Sequence, residues 1–429
     1  MAIGTSSWVR CVVAALASVW LMGTAACSAE APRVAGAGAG AGGQAGSGGA
    51  GGGGGLPNAA FLQRSIPDAQ HLEVNETCPN GTRDGGKRCI PDRVLARPAV
   101  CYSGYRSNES PNTLAYPTED EVKQDLDLLV RAGYSFLRLF DASKHAETVL
   151  KVIADNNFDI KLQLGIWIAG GKDKFDAANQ DQIARGIALA TKYPNIIVGV
   201  SVGNETLDTW SSVLTPPADL AGYIKQVRAG ITQPVTTDDL YPPFELGPDY
   251  QPVLAVLQSV DYLSVHVYAA IDANFASWDY QQVNVPAGPD RAQATMKAAL
   301  AYTKSAIIAV RSVLKQVNVD VPITVGEAGW KSRVTDKSHK AEPAFAHEVN
   351  QQIFFGELED WVYGAGKDAD SPAAAFYFEA FDETWKGADD GWGWFDTNRI
   401  AKYVMWSQFS ELKPDNAMPY TSADAIYFQ

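Results

Sequence analysis

Histidine and cysteine are scarce in this sequence, with five of each among 429 residues. The histidines are scattered and no cysteine spacing matches a zinc site, so neither a catalytic metal nor a cofactor is expected. Basic charge is also short. Lys and Arg number 35 against 49 Asp and Glu, and the formal net charge of −14 argues against nucleic acid and against an anionic membrane surface as partners. A neutral substrate fits that balance, although charge does not select one. No Gly-rich phosphate fingerprint follows the first predicted strand, which weighs against a dinucleotide-binding open sheet. The apolar run Cys11–Gly23 is too short to span a bilayer comfortably.

That run instead reads as part of an export signal. Arg10 supplies a thin positive region before it, and Thr24-Ala25-Ala26-Cys27 follows it. The junction resembles a bacterial lipobox, in which Cys27 is acylated after cleavage and becomes the mature N-terminus. Thr24 stands where such signals usually have Leu, and ordinary secretion is the alternative. Either route takes the protein out of the cytoplasm, to a bacterial surface or outer membrane if lipidated. Membrane contact is then expected only through the N-terminal lipid, and the protein is expected to be a monomer.

Four regions follow from composition. Residues 1–27 are the signal, and 28–55 form a tether that is almost entirely Gly, Ala and Ser from Ala35 onward. Such a segment cannot bury enough apolar area to offset its ordering entropy. Residues 56–97 precede the main domain and contain Cys78 and Cys89, which flank a Pro/Asn/Gly-rich loop. A bridge between them would contribute roughly 3 kcal/mol in the chain-entropy model, while pairing of Cys101 with either is the alternative. Residues 98–429 form the main domain.

With 46% hydrophobic and 20% charged residues, the chain has the composition of a globular protein able to bury a large core. Eight short apolar runs recur along it: Ala99–Gly104, Ser135–Phe140, Ile160–Ile166, Ile196–Gly203, Pro234–Thr237, Tyr262–Val267, Ile323–Gly326 and Ala374–Phe381. Near-continuous apolar runs are the mark of parallel strands buried on both faces. Amphipathic stretches separate them. Thr118 to Glu121 reads as a capping box with Gly133 as the stop, and Val122, Leu126, Leu129 and Val130 share one face. Gln182–Lys192, Pro217–Ala229 and Arg291–Gln316 behave similarly. Eight strand-then-helix units predict an α/β fold, a (β/α)8 TIM barrel.

Reacting groups in such a barrel gather at the carboxyl ends of the strands. Those ends carry Asp141, Gly203-Asn204-Glu205, His266 and Tyr268, Gly326-Glu327-Ala328-Gly329-Trp330, and Glu379 through Glu383. Glycosidic cleavage needs one protonated and one ionised carboxyl around the scissile bond. Sugar rings need flat apolar platforms, and Trp210, Trp330, Trp385, Trp392 and Trp394 lie near those ends. A single strand-end Glu often only caps a helix or pairs with Arg. Two of them, Glu205 and Glu327, each ending a different apolar strand, point to catalysis.

These residues also carry a family resemblance. Ser201-Val-Gly-Asn-Glu205, Thr324-Val-Gly-Glu-Ala-Gly-Trp330 and Phe381-Asp-Glu-Thr-Trp-Lys386 resemble the signature blocks of glycoside hydrolase family 17, the β-1,3-glucanases and related glucanosyltransferases. Val100-Cys-Tyr-Ser-Gly-Tyr105, Leu137-Arg-Leu-Phe-Asp141 and Ser264-Val-His-Val-Tyr268 resemble its early and middle strands. The resemblance implies a retaining enzyme on β-glucan, with Glu205 as acid/base and Glu327 as nucleophile. It implies that Asn204 holds the sugar 2-hydroxyl, that Tyr102 and Tyr268 line the reacting subsite, and that Glu383 and Lys386 pair at its edge. His266, Trp330 and Trp385 complete the expected substrate-binding set.

Two positions depart from the pattern of the plant members: Lys331 replaces Pro, and His266 replaces Asn. Subsite and chain-length preference therefore do not carry over. Plainer readings apply elsewhere. His266 reads as a hydrogen-bonded wall residue, Arg138 as the partner of a carboxylate, and Trp392 and Trp394 as packing or as platforms. Asn204-Glu205-Thr206 is formally a glycosylation sequon, but a strand-end pocket residue is a poor acceptor. Beside the hydrolase stand two alternatives, a glucanosyltransferase using the same site and a surface glycan-binding lipoprotein without turnover.

Overall fold

A computed structural model describes residues 86–245, 253–275, 277–334, 345–387 and 391–427. The export signal with Cys27, the tether and Cys78 lie outside the described residues. The eight strands β1 (Ala99–Cys101), β2 (Phe136–Leu139), β3 (Lys161–Ile166), β4 (Ile197–Asn204), β5 (Val235–Leu240), β6 (Leu263–His266), β7 (Ile323–Ala328) and β8 (Ala375–Tyr377) close into one barrel in sequence order. Neighbouring strands are parallel, including the closing pair of β1 with β8. The fold is a (β/α)8 TIM barrel, as the alternation of apolar runs and amphipathic stretches predicts.

Strand burial explains why those runs were legible. Every residue of β2, β3, β6 and β7 is buried, one face against the barrel interior and the other against helices. The capping box is present: Thr118 accepts from the Glu121 amide, and the Glu121 carboxylate accepts from the Thr118 amide. Gly133 follows the helix Glu119–Arg131 with φ +88°, a left-handed stop that suits glycine. Val130 is displaced from the predicted face and stands 37% exposed. Asp125 takes a buried place on that helix instead, its charge met by Arg399 at 2.7 and 2.6 Å.

Other boundaries moved for identifiable reasons. The helix predicted from Gln182 starts at Lys172, and helices Lys144–Asp155 and Glu348–Tyr363 went unpredicted. β5 runs on past Thr237 to Leu240, because Asp238 and Asp239 are buried inside the fold although both are acidic. Cys101 is a free, buried thiol and Cys89 is disulfide-bonded, so Cys101 is not half of a bridge.

The segment before β1 closes the amino-terminal end of the barrel. Ile90 is buried in the main core. Lys87 donates to the Val260 carbonyl, and the Arg88 amide donates to Asp261 at 2.9 Å. The opposite end, where the strands finish, is left for chemistry.

Candidate active site

Glu205 and Glu327 meet at the carboxyl ends of β4 and β7. One carboxylate oxygen of each, together with a ring nitrogen of His266, lie within 4.8 Å of one another. Each glutamate is delivered by a local device in the backbone. On β7 the register against β6 slips, with Val265 opposite Val325 but His266 opposite Glu327. Gly326 is the skipped residue and faces Ser264 and Asp238. A Cβ there would lie 2.4 Å from Ser264 Oγ and 2.8 Å from Asp238 Oδ1, so only glycine fits. The irregularity lets Glu327 also turn toward the mouth of the barrel.

On β4 the device is a left-handed turn. Gly203 has φ +89° and Glu205 has φ +51°, a conformation that costs a non-glycine residue about 1–3 kcal/mol. Neighbouring β5 holds it. The Glu205 amide donates to the Asp238 carbonyl at 2.9 Å. The Asp239 carboxylate accepts from the Thr206 amide (2.9 Å), the Thr206 hydroxyl (3.1 Å) and the Leu207 amide (3.1 Å). Glu205 is thereby fixed with a side chain 22% exposed, while that of Glu327 is only 5% exposed.

The two carboxyls sit in different electrostatic settings. Burial alone would raise the Glu327 pKa, but His266 and Arg138 and a hydrogen bond from the Tyr268 hydroxyl outweigh it and hold the carboxyl below the ordinary Glu value. Arg138 spans the floor of the site. Its Nη1 donates to Glu327, its Nε to Asp238 at 2.7 Å, and its Nη2 to Asn204 Oδ1 at 2.5 Å. Gln163 donates to Asp238 at 3.0 Å and accepts from the Tyr262 hydroxyl at 2.8 Å. Asp208, in the loop after Glu205, is pushed up to about 7 by burial and by the charge of Glu205.

Other predicted residues divide into those at the site and those behind it. His266 Nδ1 is 3.1 Å from Glu205 Oε1, which places the histidine in the wall of the site beside the acid. Glu383 pairs with Lys386 and accepts from the Ser103 hydroxyl and, at 3.0 Å, from Trp385 Nε1. Tyr102 is a correction. Cys101 points into the barrel toward Gly326 and Arg138, so the next side chain points outward. The Tyr102 hydroxyl accordingly donates to Asp125 on the helix Glu119–Arg131 at 3.1 Å. Trp330 is a second correction: it is fully buried against Phe345 and Phe354, and its indole donates to the Phe345 carbonyl at 3.0 Å.

Among the remaining tryptophans, Trp394 stacks on Tyr377 in the core, and Trp392 packs edge-on against Tyr268 at 5.2 Å. Of the tryptophans named from the sequence, Trp210, 41% exposed, and the half-buried Trp385 keep accessible surface. Sequence reading missed Gln163, Asp208, Asp238 and Asp239. The one available signal was the pair of acids continuing the β-rich Val235-Thr236-Thr237.

The cluster of Glu205, His266 and Glu327 is tight enough to enclose a cation. Both Glu327 oxygens are already taken, one by the Arg138 guanidinium and one by Tyr268, so we assign no metal there. What the arrangement can do is hold one carboxylate ionised at depth while a second, more accessible carboxyl exchanges a proton beside it.

A family model described as the BtgE/BtgC glycoside hydrolase domain matches residues 99–395. Among curated proteins, the chain is 24% identical over 375 residues to "Probable glucan endo-1,3-beta-glucosidase btgC" of Aspergillus flavus, covering 79% of this chain and 48% of that protein. It is 25% identical over 322 residues to the same-named protein of Aspergillus clavatus, covering 68% and 40%. The chain thus spans about half the length, or less, of the curated relatives it matches. Among solved structures, an endo-laminarinase from Formosa Hel1_33_131 superposes with a TM-score of 0.66 at 25% identity, over 77% of this chain and 95% of that one.

Proposed function

The chain belongs to the BtgE/BtgC glycoside hydrolase domain family, and from that premise we propose that it cleaves β-1,3-glucan internally by a retaining double displacement, as a member of glycoside hydrolase family 17. The observation that carries the mechanism is the approach of the Glu205 and Glu327 oxygens to within 4.8 Å. Retaining pairs sit about 5–5.5 Å apart, whereas an inverting pair needs about 6.5–9.5 Å to admit a water. The names of the relatives, all glucan endo-1,3-β-glucosidases or an endo-laminarinase, support the substrate.

In the first step Glu327 attacks the anomeric carbon while Glu205 protonates the departing glycosidic oxygen. The C–O bond breaks, and a glycosyl ester forms on Glu327. In the second step Glu205 takes a proton from an incoming water, which attacks the same carbon and frees Glu327. The Arg138 and Tyr268 contacts favour the ionised nucleophile, and they make it a good leaving group in the second step. Asn204, fixed through its carbonyl by Arg138, stands next to the acid, in reach of a 2-hydroxyl. Lys386 and Trp385 border the sugar cleft beside Glu383.

The test is a panel of linear β-1,3-, β-1,4- and β-1,6-glucans with products sized by chromatography. The β-1,3 chain yields a ladder of oligosaccharides and the β-1,4 chain is cut poorly or not at all. Equal turnover of both, or a β-1,4 preference, defeats the substrate assignment. Products longer than a starting oligosaccharide identify a glucanosyltransferase, with a sugar hydroxyl replacing water in the second step.

We also propose that the enzyme sits at the cell surface, a reading supported by the apolar run and the Ala25-Ala26-Cys27 junction ahead of the tether. Cys27→Ser then moves the protein from the membrane fraction to the soluble fraction. A wild type that is already fully soluble after export defeats the anchor.

A further inference from the structure

One imidazole bridges the two glutamates. His266 is fully buried, with Nδ1 3.1 Å from Glu205 Oε1 and Nε2 3.6 Å from Glu327 Oε1. We propose that His266 is a positioning residue that stores the acid/base proton on Nδ1 while Glu327 is ionised and returns it through Glu205 as Glu327 becomes esterified. The inference rests on the two-glutamate reading above and adds a coupling between the two carboxyls.

Of the two ring nitrogens, Nε2 faces the nucleophile. A bare lone pair on Nε2 would oppose the negative Glu327 oxygen, so Nε2 carries hydrogen. Two protonation states then remain for the other edge of the ring. In one, Nδ1 is bare and accepts from a protonated Glu205; in the other, Nδ1–H donates to an ionised Glu205. They differ only by one proton moving along a 3.1 Å contact, the Glu205 O–H bond breaking as the Nδ1–H bond forms. The pair therefore holds the proton jointly, and its macroscopic titration belongs to both residues.

The groups facing His266 decide which state is populated. Glu205 approaches from the end of β4, Glu327 from β7, Arg138 from β2, and Asp238 and Asp239 from β5. Burial opposes an imidazolium, and so does the Arg138 charge. Glu327 and the hydrogen bond with Glu205 outweigh them, and the His266 pKa is raised above the ordinary value. Ionised Glu327 is thus what keeps the proton on the ring. When Glu327 attacks the sugar it loses its negative charge, and the imidazolium loses its main counter-ion. The proton then moves to Glu205 as the departing oxygen needs it. In the second step Glu327 regains its charge, and the proton that Glu205 takes from water passes back to Nδ1.

The experiment is the pH dependence of kcat/KM for His266→Asn, which keeps a polar side chain of similar reach without a titrating group. In the wild type, loss of the pair's last proton sets the alkaline limb above the ordinary histidine value of about 6.5. Without the imidazole that limb moves acidward by about one pH unit or more. A lower rate with both limbs unmoved overturns the proposal and leaves His266 a packing residue. Should the variant not fold, imidazole NMR titration of the wild type, Glu205→Gln and Glu327→Gln decides. One of the five histidines must titrate at lower pH once the Glu327 charge is gone, and must also respond to Glu205→Gln; if none does, the proposal is overturned. If Glu205→Ala and Glu327→Ala both keep near-normal activity on natural glucan, the two-glutamate reading fails instead, which separates the two failures.

Discussion

Glu327→Ala abolishes turnover of natural glucan, and added azide restores a product of inverted configuration. The loss is on the order of 10⁴-fold or more, the scale seen when a covalent nucleophile is removed. The side chain removed is the one whose ionised form Arg138 and Tyr268 stabilise. Without it no glycosyl ester forms, and a small anion entering the vacancy attacks the anomeric carbon once, from the nucleophile's own side. Glu205→Ala behaves differently. A substrate whose leaving group needs no protonation still forms the ester on Glu327, and azide then gives the retained anomer. The two rescue products assign nucleophile and acid/base separately, by NMR of the glycosyl azides. Near-normal activity of both folded variants on natural glucan would falsify the assignment.

The same geometry predicts how the acid limb lies. Glu327 works ionised, and its pKa is held below the ordinary Glu value, so activity on the acid side persists below about pH 4.3 before the nucleophile is protonated.

The barrel was readable because parallel strands sealed on both faces write themselves as apolar runs, and the runs before Ile166 and Gly203 match β3 and β4 within a residue or two. Glu205 and Glu327 were readable because acids stand out at the ends of such runs. Asp238 and Asp239 were not, since the apolar pattern stops at Thr237 while the strand continues to Leu240 on the strength of ionic and backbone contacts made by residues far away in sequence. Arg138 and Thr206 are those partners, on β2 and after β4. Tyr102 and Trp330 show the complementary limit. Both follow strand ends and both are aromatic, yet the direction of each side chain depends on parity and bulges that sequence does not display. Cys101 facing inward turns Tyr102 outward, and the slip around Gly326 precedes the turn that sends Trp330 into the core.

Arg138→Met is expected to damage both stability and catalysis, because one guanidinium neutralises two fully enclosed acids. Removing it leaves Asp238 without its guanidinium partner and Glu327 with only His266 as a cation, and breaking a buried pair in this way costs about 3–5 kcal/mol. The pH dependence carries a diagnostic change. In the wild type both acids have depressed pKa values, so they contribute stability above their unfolded pKa values, and that contribution is lost as pH falls through the folded ones. Without Arg138 both acids lose one opposing charge while His266 still faces them, and their pKa values rise from their wild-type positions. The variant therefore loses less stability from these groups than the wild type does as pH falls. Its destabilisation is greatest near neutrality and smallest in acid, and thermal unfolding of wild type and variant across pH 4–8 measures it, the range spanning about the ordinary carboxyl and histidine values. The acid limb of kcat/KM moves upward in parallel, since Glu327 must still ionise to attack. Arg138→Lys restores a charge without the fork that reaches Glu327, Asp238 and Asn204 together, so it recovers part of the stability and less of the rate. A uniform loss of stability at every pH, with the acid limb unmoved, would show that Arg138 only fills space in the floor of the barrel.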